Sequence, residues 1–405
     1  MTEMIPLDSS NEGETLTNEV LLNLGPQHPS SHGVLRLLMQ MEGERITNMD
    51  VIIGYLHRGT EKLCESFTYT QIIPLTDRLD YLCQPSNNLA YVLAVEKLLD
   101  VEAPERAQYI RVMMAELSRI SGHLLISGAL PMDLGAMTTL LYVMREREMI
   151  MDLLEMATGA RMHSSYCRVG GIREDLPTGF TERMHEFCHI FRQRIVDYET
   201  LVEKNRIFLK RTKDVGVITA AEAIDWGLSG PCLRASGVDW DIRRDNPYEI
   251  YDRLQFEVIV REGGDCYDRW KCRMDEMRES VTIIEQCLAL MPRDGPVIVD
   301  IPQIAFPGDK EEVQTSMESL IHQFQLSAYG FKVPAGETYV SIEAPKGELG
   351  FYIISDGTEK PFRVGIRAPS FVNLQILLPI AKRCYLADVI AIVGSLDPVM
   401  KEVDK

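Results

Sequence analysis

The middle of the chain carries apolar residues at the three- and four-residue spacing of a buried helical stripe. Comparable stripes predict further helices over 135–158, 181–209 and 265–291. Because long helices with short connections pack on one another, the pattern favours a helical bundle as the core. The first stripe lies between Pro104 and Gly128 and consists of Ile110, Met113, Met114, Leu117, Ile120 and Leu124.

Strand-like segments flank the predicted bundle on both sides. Segments 17–24, 34–42 and 44–51 predict an N-terminal antiparallel sheet, interrupted by a loop at Gly25–Gly33. After the helices, 338–343, 350–355 and 362–367 predict strands separated by turns at Pro345–Gly347 and Asp356–Gly357. The fold class is therefore α+β. We predict a flexible segment over 1–15, the sheet with its loop over 16–55, the bundle over 56–300 and a mixed α/β part over 301–405.

Bulk composition excludes several classes of function. The formal net charge of -18 over 405 residues argues against nucleic acid as the main partner and against direct adsorption on an anionic membrane. No apolar stretch reaches the length of a membrane-spanning helix, and the start lacks the features of a signal peptide. We therefore expect the protein to remain in the compartment where it is made.

The nine cysteines are odd in number, and no two have the Cys-x-x-Cys spacing. This disfavours a disulfide framework, a zinc ribbon or an iron–sulfur ligand run on this chain, and it favours buried thiols. The glycine pairs fit neither a dinucleotide-binding nor a P-loop pattern, so no NAD, flavin or nucleotide site is predicted.

His185-Glu-Phe-Cys-His189 formally matches the metalloprotease pattern H-E-x-x-H. However, the histidines lie nearly opposite the apolar stripe that contains Phe187 and Phe191, and no third ligand is signalled. The pattern therefore predicts a solvated helix face, and a zinc peptidase is the last of the alternatives.

Three segments hold candidates for chemistry. Gly25-Pro-Gln-His-Pro-Ser-Ser-His-Gly33 presents two imidazoles on a loop that two prolines stiffen, and structural and chemical roles are about equally supported. Asp77–Cys83 concentrates two carboxylates, an arginine and Tyr81; a helix start capped by Asp77 is the favoured interpretation. Asp133, in an apolar setting, is expected to cap the next helix, to pair with a buried cation, or both.

Together, nine collinear segments resemble the family of quinone-site subunits, the 49-kDa type, of respiratory complex I, the NADH-quinone oxidoreductase. The family implies a fold like that of the large subunit of nickel–iron hydrogenases. The matching segments are Gly25–Gly33, Gly54–Lys62, Asp77–Leu82, Glu116–Arg119, Asp133–Gly135, Gly170–Ile172, Leu233–Gly237, Arg367–Phe371 and Ser395–Pro398.

The same resemblance implies that the ancestral nickel site has been lost. That site needs two Cys-x-x-Cys pairs, one near each end of the chain. Val399 and Glu402 stand where thiolates would be required at the C-terminal end, and Cys83 is the remaining cysteine in the other segment. Because valine cannot replace a soft thiolate ligand, we expect no metal or covalently bound cofactor on this chain.

Residue by residue, the resemblance implies that His32 and Tyr81 face the quinone headgroup and that Asp133 pairs with His32. Arg58, Arg78 and His163 would lie near the terminal [4Fe–4S] cluster, which belongs to a neighbouring iron–sulfur subunit. Quinone is then the substrate, and the partners are the other peripheral-arm and membrane-arm subunits.

The expected function is a peripheral subunit of a proton-pumping NADH:quinone oxidoreductase on the cytoplasmic side of the bacterial inner membrane. Two alternatives remain beside it: a hydrogenase-related electron-transfer subunit and a non-catalytic scaffold subunit.

Overall fold

The computed structural model describes residues 4–6, 19–26, 33–307, 310–382 and 384–405. His28 and His32, the two histidines of the predicted loop, lie outside the described residues. Within the segment 1–15, for which flexibility is predicted, Met4–Pro6 forms a strand, β1, that pairs with the next strand. The other domain boundaries stay predictions.

The N-terminal sheet is antiparallel, and its strand order follows the chain. Its strands alternate between buried and accessible residues, as a sheet with one covered face requires. Met39 is buried between Leu22 and Met49, its partners on the two neighbouring strands. The sheet predicted at this position is therefore confirmed. After β1 it contains β2 (Glu19–Leu24), β3 (Arg36–Glu42) and β4 (Arg45–Ile52).

The helices of the centre form the predicted bundle, whose core is the largest apolar cluster of the described chain. The long members, α4, α5, α6 and α11, pack side by side. The helices before residue 300 are α1 (Thr60–Cys64), α2 (Tyr69–Thr76), α3 (Gln84–Leu99), α4 (Glu105–Asp133), α5 (Met137–Thr158), α6 (Phe180–Glu203), α7 (Arg206–Thr212), α8 (Ala220–Asp225), α9 (Pro231–Arg234), α10 (Ile242–Asp245) and α11 (Cys266–Leu290).

Two of the predicted helices differ from those in the structure. α4 does not stop at Gly128 but continues to Asp133. Gly128 serves packing instead, since a Cβ there would meet a side-chain carbon of Val143 on α5 at 2.4 Å. The single helix predicted over 181–209 is divided, because the side chain of Asn205 accepts hydrogen bonds from the backbone of α7 and starts a new helix.

The C-terminal part contains a second antiparallel sheet, formed by β7 (Gly336–Ala344), β8 (Gly347–Ser355) and β9 (Pro361–Arg367), and the turns predicted between them are confirmed. A short hairpin, β5 (Cys167–Arg168) and β6 (Gly171–Ile172), precedes α6. The sheet packs on α3, where Tyr91 meets Phe351 edge to face with ring centres 5.7 Å apart.

The remaining helices bring the end of the chain back to its beginning. α15 packs on β4, and α17 packs on α14. Within the residues that the structure describes, no helix combines the length and the apolar character needed to cross a membrane. The helices after residue 300 are α12 (Lys310–Thr315), α13 (Met317–Ala328), α14 (Pro369–Gln375), α15 (Leu377–Ala381), α16 (Leu386–Leu396) and α17 (Met400–Asp404).

Candidate functional site

Tyr81 lies in the tight segment between α2 and α3. Asp80 organises this segment, because its carboxylate accepts a hydrogen bond from the backbone of Leu82 at 3.0 Å. The carbonyl of Asp80 also accepts from the side chain of Asn87 at 2.9 Å, which fixes the segment to α3. The favoured interpretation of Asp77 as the start of a helix is wrong: Asp77 is the C-terminal cap of α2, and α3 begins at Gln84.

The phenol of Tyr81 is half-buried between the last helix and the start of α3. The ammonium of Lys401, on α17, lies 5.4 Å from the centre of its ring. Leu82, Cys83 and Val399 form a small buried cluster against which Tyr81 packs. Burial and then the neighbouring Asp80 raise the pKa of Tyr81 above its usual value, so the phenol is protonated at neutral pH and can donate a hydrogen bond.

Arg58 and Arg78 line one small recess, to which Lys401 also contributes. Arg58 is exposed, whereas Arg78 is half-buried and donates from Nη1 to the carbonyl of Pro74 at 2.5 Å. The recess therefore gathers three cationic side chains, and one of them, Lys401, is also the residue that contacts Tyr81. The expected position of the two arginines beside an iron–sulfur cluster stays a prediction.

The segment that carries Arg58 is held by the end of the chain. The carboxylate of Asp404 accepts hydrogen bonds from the backbone N–H groups of Gly54 and Leu56, at 2.8 and 2.7 Å. Asp404 is buried, so these charge-assisted bonds are protected from water. Asp404 is a positioning residue that no pattern in the sequence singles out.

His163 lies in a strained connection after α5. Its φ of 57° and the φ of 44° at Ser165 are in the left-handed region, which non-glycine residues seldom adopt. Asp77 holds this connection, since its Oδ2 accepts from the backbone N and the Oγ of Ser165 at 3.0 and 2.6 Å. Burial raises the pKa of Asp77, while these hydrogen bonds and a charge on His163 act in the opposite direction.

Asp133 is the last residue of α4 and is half-buried. The expectation that it caps the next helix is wrong, because Ala136 is the N-cap of α5 and no side chain caps it. Gly135, with a φ of 96°, supplies the sharp change of direction between the two helices. Since His32 lies outside the described residues, the pairing of Asp133 with His32 stays a prediction.

Comparisons with known proteins decide the family. A family model described as respiratory-chain NADH dehydrogenase, 49 Kd subunit, matches residues 133–405. Two proteins named as D-type subunits of NADH-quinone oxidoreductase, from Sinorhizobium medicae and Rhizobium meliloti, are 73% and 74% identical over 406 aligned residues that cover 100% of both chains. A third protein with that name, from Geotalea uraniireducens, is 55% identical over 389 residues, which are 96% of this chain and 99% of the relative.

The chain belongs to this family. The mixed α/β fold with small antiparallel sheets agrees with that membership. The family membership that the nine collinear segments predict is therefore confirmed.

In this member of the 49 kDa family, the two segments at which a nickel site would need thiolates meet in space. Cys83 and Val399 belong to the same buried cluster. Val399 offers no donor atom, and burial raises the pKa of the Cys83 thiol well above its usual value. One neutral thiol does not provide the set of four soft ligands that nickel requires. The described residues contain no group of three or more metal-binding side chains.

The predicted character of the H-E-x-x-H segment is confirmed, since His185 and His189 are both exposed on α6. The cysteines are likewise free and buried, apart from the half-buried Cys384.

A buried cluster of charges lies next to Tyr81, and it was not singled out from the sequence. Lys346, at the turn between β7 and β8, places its Nζ 2.9 Å from Asp80 and 3.5 Å from Asp397. Glu402, on α17, is buried beside them and accepts a hydrogen bond from the backbone of Ser370 at 3.3 Å. A lysine between a proline and a glycine is typical of an exposed turn, so nothing in the local pattern indicates its burial.

Proposed function

We propose that this chain is a subunit of a proton-pumping NADH:quinone oxidoreductase and forms the quinone-reducing site together with a neighbouring iron–sulfur subunit. The observation that carries the proposal is Tyr81, a protonated and half-buried phenol held between α17 and the start of α3. Two relatives that are 73% and 55% identical to the chain are named as subunits of NADH-quinone oxidoreductases, which supports this proposal.

In the proposed reaction, Tyr81 and His32 donate hydrogen bonds to the oxygens of a quinone headgroup. Two-electron reduction makes these oxygens strongly basic, so both donors can release protons to them as general acids. Asp133 would pair with His32, favour its protonated form and fix its orientation. The roles of His32 and Asp133 rest on the resemblance to the family.

The recess with Arg58 and Arg78 would face the terminal [4Fe–4S] cluster of the iron–sulfur partner. That cluster supplies the electrons. Cationic side chains near it stabilise the reduced, more negative state, so the two arginines would raise its reduction potential. His163 would lie near the same cluster, and its protonation would be coupled to the redox state of that cluster.

As a subunit of such a complex, the chain would be peripheral, on the cytoplasmic side of the bacterial inner membrane. It would bind other peripheral-arm and membrane-arm subunits and would not act alone. The hydrogenase-related alternative is disfavoured by Val399, which occupies a position where a thiolate ligand would be needed.

The test is Tyr81→Phe in the assembled complex. The variant keeps the ring but cannot donate a hydrogen bond or a proton, so quinone reductase turnover should fall by about 100-fold. Assembly and the transfer of electrons from NADH to an artificial acceptor should be unchanged. Near-normal quinone turnover would refute the role of Tyr81 and favour the scaffold alternative.

A further inference from the structure

Helix α13 presents its large apolar side chains to solvent. Its inner face carries Leu326, which is 5% exposed and belongs to the apolar cluster between α3 and the C-terminal sheet. The exposed apolar residues recur every three or four positions, so at about 100° per residue they lie on the outer face, opposite Leu326. We call them the α13 stripe: Met317, Leu320, Ile321 and Phe324, which are 72%, 55%, 50% and 62% exposed.

The α13 stripe reverses the usual pattern of a surface helix, whose apolar side faces the core. The helix is held to the protein without the stripe, since Leu326 is buried and His322 donates from Nε2 to the carbonyl of Pro302 at 2.6 Å. A single exposed apolar residue needs no explanation, but a contiguous exposed patch of large apolar side chains marks an interaction site. The stripe therefore fits a partner that covers it.

A cationic recess of about 490 Å³ borders α13 on one flank. Gln323 and Ser327 of α13 line it, together with Arg168 at the end of β5 and Arg173 after β6. Gln323 lies three positions after Leu320, and residues at this spacing are neighbours on the surface of a helix. The recess and the α13 stripe therefore form one continuous surface.

Arg168 gives the recess a positive charge that the described residues do not balance. Arg173 pairs with Glu174, which also lines the recess, at 3.4 Å. The guanidinium of the half-buried Arg168, by contrast, has no ion pair or hydrogen bond within the part of the chain that the structure describes. Asp77 acts on Arg168 from a distance but is hydrogen-bonded to Ser165. Since a half-buried charge without a partner is unfavourable, the recess fits a carboxylate.

The charges around α13 also have a direction. Glu311, Glu312 and Glu318 are exposed near its N-terminal end, whereas the recess with Arg168 lies beside its C-terminal half. A complementary surface is therefore basic at one end and acidic at the other. The same glutamates, on a chain of net charge -18, disfavour an anionic lipid surface as the occupant.

We propose that the α13 stripe and the Arg168 recess form a docking surface for a helix of another subunit of the same complex. The apolar face of the docked helix covers the stripe, and an aspartate or glutamate of that helix enters the recess and pairs with Arg168. A helix fits because the stripe has the spacing with which two helices pack side by side. The inference rests on the proposed function in one respect, that the chain is a subunit of a complex.

Photochemical cross-linking in the assembled complex identifies the occupant of this surface. Phe324→benzoylphenylalanine places a photoreactive ring on the α13 stripe, and mass spectrometry identifies the peptide that it links after irradiation. We expect a link to a helical segment of one other subunit that contains an aspartate or glutamate. A link to a second copy of this chain, to lipid or to another segment of this chain would overturn the proposal, and so would the absence of a link.

Arg168→Glu tests the recess. The reversed charge repels the partner carboxylate, so the dissociation constant for the linked subunit should rise by about tenfold or more. Replacement of the linked carboxylate by lysine should then restore binding, because the pair is present with its signs exchanged. Failure to restore binding would overturn the role of Arg168. Restoration by Asp309→Lys, at a position outside the described residues, would do the same, because the counter-charge would then belong to this chain.

Arg192→Glu is the matched control for the reversed charge. Arg192 is an exposed arginine on α6 that pairs with Glu285 at 2.6 Å. Its reversal changes the net charge of the chain by the same amount as Arg168→Glu but leaves the recess intact. The dissociation constant for the linked subunit should therefore stay at the original value, and an equal loss in both variants would refute a specific pair with Arg168.

Leu320→Glu tests the stripe. A carboxylate in the centre of an apolar contact should raise the same dissociation constant by about 100-fold. Because position 320 is exposed, thermal unfolding of the full chain should be unchanged. Leu320→Met keeps an apolar side chain and should bind like the original chain. Unchanged binding in Leu320→Glu would refute the stripe as a contact.

The outcomes separate this proposal from the proposed function. If Tyr81→Phe is slow while no subunit is linked at position 324, the docking surface is refuted and the role of Tyr81 stands. If a subunit is linked while Tyr81→Phe reduces quinone normally, the role of Tyr81 falls and the docking surface stands. If the chain does not purify with other subunits, both proposals fall.

Discussion

Lys401 and Tyr81 are in direct contact, with the ammonium 5.4 Å from the centre of the phenol ring. Lys401 also lines the recess that contains Arg58 and Arg78. One residue of α17 thus connects the proposed quinone tyrosine with the proposed electron-entry side. The next residue, Glu402, is buried near Asp80 and Lys346, so this short helix adjoins both Tyr81 and the buried charges next to it.

Lys401→Met should weaken the binding of quinone. A cation over an aromatic ring is worth about 0.5–1 kcal/mol at a partly exposed site, and its loss leaves the Tyr81 ring less well held. We expect the KM for quinone to rise by a factor of about 2–5, which is the same free energy expressed as a ratio. Steady-state kinetics of the assembled complex provide the measurement. Lys401→Arg, which keeps a cation over the ring, should remain near the original value, and equal effects of Met and Arg would contradict this role.

Arg78→Met should lower the midpoint potential of the terminal [4Fe–4S] cluster on the partner subunit. A positive charge at a partly screened distance contributes about 1 kcal/mol, which corresponds to about 40 mV for a one-electron step. A redox titration followed by electron paramagnetic resonance measures this shift. Arg78→Lys retains the charge and should shift the potential much less. An unchanged potential in Arg78→Met would place the cluster elsewhere.

His163→Met should flatten the pH dependence of the same midpoint potential, because methionine cannot take up a proton. Asp77→Asn, which leaves the imidazole of His163 in place, should instead preserve the dependence. Asparagine can still accept the hydrogen bonds from Ser165, so the strained connection is retained. A dependence that survives in His163→Met would make His163 a bystander.

Periodic patterns were sufficient for the regular parts of the fold. The N-terminal sheet, α5, α11 and the C-terminal strands follow from alternation, from helical stripes and from signals such as Gly159, which ends α5 with a φ of 73°. The end of α4 was misplaced because Gly128 resembles a helix stop, whereas its real task is to let α5 approach. That task depends on a partner helix and has no local signature.

The residues of the candidate site likewise differ in whether the sequence gives a signal for them. The segment with Arg78 and Tyr81 stood out by its composition, but the roles of Tyr81, Arg58, Arg78 and His163 were accessible only through the resemblance to the family, since their spacing carries no motif. Lys346 could not be found, because burial of a turn lysine depends on where Asp80 and Asp397 arrive in three dimensions. The same limit applies to Asp404, whose two backbone partners are almost the whole chain away.

Glu116→Gln should destabilise the bundle without changing the quinone site directly. Glu116 is buried on α4 and pairs with Arg119 and Arg243, both at 3.1 Å. Burial alone would raise its pKa, but the two arginines outweigh burial and lower it to about 2. Removing the charge leaves two buried guanidinium groups without their shared partner, which costs about 3–5 kcal/mol.

The direction in which stability depends on pH follows from the pKa of Glu116 in the folded protein compared with its ordinary value. Because the folded pKa of Glu116 is below its ordinary value of 4.5, its contribution to stability is complete above 4.5 and is lost as the pH falls towards about 2. Thermal unfolding of the protein, followed between neutral and acid pH, should show a steeper acid loss for the original chain than for Glu116→Gln. Glu105→Gln, at the exposed pair with Arg253, is the control and should change stability by less than about 1 kcal/mol. Equal acid sensitivity of the original chain and Glu116→Gln would show that the arginine pair does not depend on this carboxylate.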